Sequence, residues 1–108
     1  MSNMFNDQEA AGEIFREAIA RKRCVSGVYN KRTMILAPHV LFERHGDLHV
    51  RAVTVEIDGE KPREAKLGTF RLTGLRDVAI TRKLFRPQPE LVAAAEPHAA
   101  DVLVTAVG

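Results

Sequence analysis

Four short turn signals, NKR at 30–32, HGD at 45–47, DG at 58–59 and TGLRD at 73–77, cut the middle of the chain into runs of strand length. Gly46 and Gly59 can take positive φ without steric cost, and an Asp-Gly pair is a strong two-residue hairpin signal. The runs between them are CVSGVYN, TMILAPHVLFER, the stretch after HGD, REAKLGTFRL and VAITRKLF. Their β-branched and aromatic content fits a pleated, half-buried surface. Turns this short can only join neighbours running in opposite directions, so the expected core is an antiparallel meander of four or five strands. Pro38 has no N–H to give a ladder, so a bulge, a bend or an edge is expected there.

Ahead of the meander the period changes. Asn6 with Glu9 three residues on has the form of a capping box, so a helix is expected to begin there. Ala10, Ile14 and Ala18 form one row at spacing four, and Ala11, Phe15 and Ile19 the next, which gives one apolar stripe able to lie on a sheet. Arg21, Lys22 and Arg23 end it where the macrodipole favours cations. One amphipathic helix feeding a small meander is best accommodated by a strongly bent barrel, because closure removes exposed edges. The expected fold is therefore mainly β with an N-terminal α-helix, a small SH3-like or Sm-like β-barrel. Residues 1–86 form the domain, and residues 87–108 a C-terminal tail. After the break at RPQPE the tail offers a short helix at LVAAAE, and DVLVTAV as an added strand, a docking segment or a disordered end.

Composition narrows the function classes. With 108 residues there is material for one domain and one core. No apolar run is long enough to cross a bilayer, and polar Asn3, Asn6 and Asp7 stand where a secretory signal needs hydrocarbon, so a cytoplasmic protein is expected and no membrane contact. The single Cys24 can close no internal disulfide, builds no zinc spacing and reads as a buried strand residue. Residues 16–86 hold all 16 cationic side chains and eight of the 14 acidic ones, a net charge of +8, and the flanks hold the other six acids. Such a segment attracts phosphates; equally, each cation can serve as solvated surface.

The ordered set EIFREAIARKR, a first strand ending in Tyr29, LAPHVLF, GDLHVRAV and GTFRLTGL resembles the WYL domain, a bacterial Sm-like β-barrel module. The resemblance spans residues 13–85. The family's Trp-Tyr-Leu triad falls on Leu48, His49 and Val50, keeping only the apolar, polar-aromatic, apolar pattern. Pro38, Tyr29 and the pair Phe70–Arg71 match family positions, whereas Gly68 and Gly74 stand where the family often has arginine. The resemblance implies a standalone regulatory module that senses a nucleotide or short single-stranded nucleic acid, linked to transcription regulation through a protein partner or a homodimer.

Period two places Leu48, Val50 and Ala52 on one side of the third strand and His49, Arg51 and Val53 on the other. An imidazole and a guanidinium two residues apart on an outward face can meet one phosphate-bearing ligand, since arginine offers a planar fork and histidine can donate or stack. Arg71 should emerge beside them if its strand pairs with theirs. Tyr29, the only tyrosine, can stack on a base or, as an alternative, end its strand in the core with the hydroxyl outside. Arg76 completes the candidate ligand site of Tyr29, His49, Arg51, Arg71 and Arg76. His39, after Pro38, is expected to be a bend residue held by a backbone carbonyl. The four histidines show no metalloenzyme spacing, no Gly-rich phosphate loop precedes a helix, and Ser26 and Cys24 have no identifiable base. No cofactor and no enzyme activity are expected. The other reading is a protein-interaction or dimerisation module with no small-molecule ligand.

Overall fold

The structure, a computed structural model, describes residues 7–95 and 98–108. Helix α1 (Asp7–Arg21) leads into strands β1 (Arg23–Tyr29), β2 (Arg32–Arg44), β3 (Asp47–Ile57) and β4 (Leu67–Arg71). A 3₁₀ turn at Leu72–Gly74, strand β5 (Arg76–Leu84), helix α2 (Pro89–Ala94) and strand β6 (Asp101–Ala106) complete the chain. Asn6, half of the expected capping box, lies outside the described residues.

On α1 the buried positions are Ala11, Gly12, Phe15, Ala18 and Ile19, while Ala10 stays exposed and Ile14 half-buried. The stripe is thus centred on the second expected row. Its outer face carries the pairs Glu13–Arg16 and Glu17–Arg21, both at 3.9 Å, where solvent leaves them little weight. Lys22, with φ at 55°, turns the chain off the helix, and its N–H reaches back to the Ile19 carbonyl.

Three hairpins then follow the turn signals. Asn30 and Lys31, His45 and Gly46, and Asp58 and Gly59 all have positive φ, the backbone of the two-residue turn whose twist suits a right-handed ribbon. Asp58 also accepts the Thr33 N–H at 3.0 Å, tying the third turn to the start of β2. Strand order is β4-β3-β2-β1-β5. Strand β2 is long enough to serve two partners on one edge: residues 32–36 pair with β1 and residues 40–44 with β6. Between them Pro38 faces Ala52 while Val40 already faces Arg51, which makes His39 the extra residue of a bulge and bends the strand.

The sheet is antiparallel with six strands, and its ends do not meet. Among the described residues β4 and β5 share no ladder, so hydrogen bonds do not close a barrel; the 3₁₀ turn separates the two strands in sequence and α1 lies against it. Strand β4 begins at Leu67 rather than at Arg63 as the pattern predicts, and β5 runs for nine residues. On the α1 side Phe15, Ile19, Val25, Leu36, Leu41, Val50, Phe70 and Leu72 form the main core. The reverse side has a smaller one, where Cys24, Ala37 and Val53 are covered by Phe85 and Leu91. Burial pushes the Cys24 thiol up. The C-terminal segment therefore packs on the sheet: Gln88 N–H donates to His39 Nε2 at 3.1 Å, and Val107 N–H to the His39 carbonyl at 2.8 Å. Among the described residues no helix is long and apolar enough to cross a membrane.

Candidate functional site

Val50 and Ala52 are fully buried towards α1, which sends Asp47, His49 and Arg51 to the reverse face. The register extends that face over four strands. Phe42 lies opposite His49 and Arg44 opposite Asp47 on β2; Arg71 lies opposite His49 on β4; Asp101 and Leu103 lie opposite Arg44 and Phe42 on β6. His49, Arg51 and Arg71 are thus brought together as the alternation predicts.

Phe42 is the floor. Its ring is 1% exposed, stacked under the His49 imidazole at 5.2 Å between centroids and 16° between planes. The Arg51 guanidinium lies 4.2 Å from its centroid and that of Arg44 5.3 Å, the placement in which a ring face attracts a cation. Asp101 then binds both arginines: Arg44 Nε donates to Oδ1 at 2.6 Å and Arg44 Nη2 to Oδ2 at 3.2 Å, while Arg51 Nη2 donates to Oδ2 at 2.9 Å. His98 N–H adds a fourth bond at 3.2 Å. At the other margin Arg71 bonds Asp47. His49 Nδ1 must carry its proton, because it lies 2.9 Å from the Asp47 carbonyl, which can only accept. Nε2 is then the nitrogen left for a ligand.

The arginines differ in what they can do. Arg51 has a side chain only 13% exposed and is locked between Phe42 and Asp101, whereas Arg71 is 59% exposed and its partner Asp47 faces solvent. Arg51 shapes the floor; Arg71 can reach outward.

The hydrogen bond from Arg44 holds the Asp101 carboxyl well below the usual carboxylate range, with Arg51 and the His98 N–H assisting against desolvation. Asp47 is lowered in the same way, chiefly by Arg71. A lowered folded pKa means that the stabilisation is complete above the ordinary value of 3.8 and is lost as pH falls through the folded value. Acid should therefore weaken the hold of β2 on β6 progressively below about pH 4, read as lower amide protection factors, corrected for the intrinsic slowing of exchange in acid, at residues 101–106. In Asp101→Asn that acid-dependent step should vanish; a β6 equally protected at pH 6 and pH 2.5 in the parent protein would contradict the assignment.

Two candidates lie elsewhere. Tyr29 meets Phe70 edge-on, with centroids 5.4 Å apart, and packs against the main core on the α1 side. Arg76 pairs with Val28 and lines a separate cleft of about 470 Å³ between α1 and β5. Tyr29 does not share the face of His49, and Arg76 lies on β5, three strands away from β3. Phe42, Arg44, Asp47 and Asp101 are the members that sequence reasoning missed. The first three follow from the turn itself, since two loop residues at 45 and 46 put 44 against 47 and 42 against 49. Asp101 has no such signal, being more than 50 residues away in the tail. His39 is held by its bond to the Ala37 carbonyl at 2.8 Å, as expected of a bend residue. Among the described residues no cluster of His, Cys, Asp or Glu is arranged to hold a metal ion.

No protein-family model matches this chain, and no curated protein or solved structure matches it either.

Proposed function

We propose that this protein is a non-enzymatic regulatory module of the WYL type, an open variant of the Sm-like or SH3-like barrel. It senses a phosphate-bearing ligand, a nucleotide or a short single-stranded nucleic acid, in the cytoplasm and in the service of transcription regulation. The observation that supports this most is the charge count of one face: the guanidiniums of Arg44, Arg51 and Arg71 share two carboxylates, with His49 between them. Among the described residues one arginine is therefore uncompensated, and Arg71 has most of its side chain in water. A phosphate fits the exchange chemically. It can draw Arg71 from Asp47, accept from its fork of N–H groups and meet His49 Nε2. Stacked beside Phe42 and half-buried, the imidazole also gives a base an aromatic ring to stack against.

The test is a fluorescence-anisotropy titration with a labelled mononucleotide and a labelled oligothymidylate. Binding should weaken steeply from about 50 to about 200 mM salt, because phosphate contacts release counterions. Arg71→Ala should cost about tenfold in affinity, within the ordinary worth of a charge-assisted hydrogen bond, and should move the unfolding midpoint only slightly, because an ion pair this exposed carries little stability. No binding at low salt, or binding indifferent to Arg71, would remove the reading.

A further inference from the structure

Among the described residues three strands end the sheet with a free edge, and they are not equally defended. Strand β5 carries Arg76, Asp77, Arg82 and Lys83, and Asp77 has φ at 53°, which interrupts the extended backbone. Strand β4 has only five residues, follows Lys66 and ends in Arg71. Charges, brevity and local kinks are the devices that keep edges from pairing. Strand β6 has the fewest: it is six residues long and has one irregularity, at Val104, between the pairs Leu41–Thr105 and Phe42–Leu103. It reads DVLVTA, with no proline and no cation, and its one charge, Asp101, is consumed by Arg44 and Arg51 on the β2 side. Val102 and Leu103 are 62% and 63% exposed, and as neighbours they project from opposite faces of the strand.

We infer that β6 is the interface of a homodimer, two copies pairing β6 to β6 antiparallel about a two-fold axis near Leu103. The occupant is a second copy because the strand is compatible with itself. Antiparallel pairing about Leu103 sets Val102 beside Val104 of the other copy and Leu103 beside its own equivalent, so apolar meets apolar on both faces. Asp101 falls opposite Thr105, and the two carboxylates stay apart. The alternatives are worse for two copies, since β5 would oppose a net cationic edge to itself and like charges across a ladder destabilise it. Each β6 already holds β2, so pairing joins the two sheets into one.

Two six-residue strands and their flanking side chains make a small interface, and small interfaces are mostly weak and transient, so a dissociation constant on the order of micromolar or weaker is expected. Sedimentation velocity from about 1 µM to about 1 mM should therefore show a monomer–dimer transition. Val102→Lys and Leu103→Lys should each weaken it at least about tenfold, whereas Leu84→Lys, on β5, should leave it unaltered. Should the lysine variants misfold, the parent protein still decides: protection of the outward N–H groups of β6 against exchange must rise with concentration. A parent protein monomeric throughout, assembly beyond the dimer, sensitivity to Leu84→Lys alone, or pairing with added extended peptides but not with itself would overturn the inference.

Discussion

Phe42→Ala should lower the stability by about 3–5 kcal/mol, the cost of truncating a buried aromatic ring, and abolish ligand binding with it. The ring is 1% exposed and carries the His49 imidazole and the Arg51 guanidinium on its surface. Its loss leaves a cavity between β2 and β3 and removes the ring against which both groups are held. Against a typical total of about 5–15 kcal/mol this is a large share, so urea denaturation should show a clearly lower midpoint at unchanged slope. Phe42→Leu separates the two roles. It restores much of the volume and should recover most of the stability, yet it has no π face for Arg51 or His49, so binding should stay impaired. A loss under about 1 kcal/mol in Phe42→Ala, the level of an ordinary surface change, would mean that the ring is not the floor.

His39→Leu should cost about 2–4 kcal/mol, from two backbone groups left without partners at about 1–3 kcal/mol each with partial relaxation. His39 is completely buried. Nδ1–H donates to the Ala37 carbonyl across the bulge, and Nε2 accepts the N–H of Gln88, which fixes the tautomer because a backbone N–H can only donate. The ring also packs at 5.1 Å on Phe85. Leucine fills the space but offers neither atom. The damage should be directional: α2 and β6 should exchange their amides much faster, while β1 and β3 lose only what the global destabilisation takes. Uniform acceleration over the whole sheet would contradict the view that His39 pins the C-terminal segment.

The parts of the fold legible in the sequence are those fixed by local backbone chemistry. Asp58-Gly59 and His45-Gly46 specify hairpins by their own φ preferences, and the bulge at His39 follows from a proline that cannot donate. Closure was not legible, because whether β4 meets β5 depends on how far apart a bent sheet carries its ends. The run DVLVTAV suits a strand, a docking segment or a disordered end equally well; only a vacant edge at residues 40–44 of β2 makes it a strand. The site divides the same way. His49 and Arg51 share a face by period two, and Arg71 joins them once β4 is in register. Tyr29 lies on the other face by the same alternation, four residues on from the core residue Val25 in a strand regularly paired with β2, and Phe70 takes its ring. The largest gap was Asp101, since a carboxylate from the tail turns two apparent free cations into one bridged pair.

The central claim is that the face over Phe42 takes up phosphate-bearing ligands. NMR titration of labelled protein with a short oligothymidylate at low salt tests it most directly. The largest shifts should fall on the His49 ring and the guanidinium signals of Arg71 and Arg44, with smaller ones at Arg51, and all should fade as salt is added. Shifts confined to Tyr29, Arg76 and the cleft between α1 and β5, or none at saturating oligonucleotide, would contradict the account.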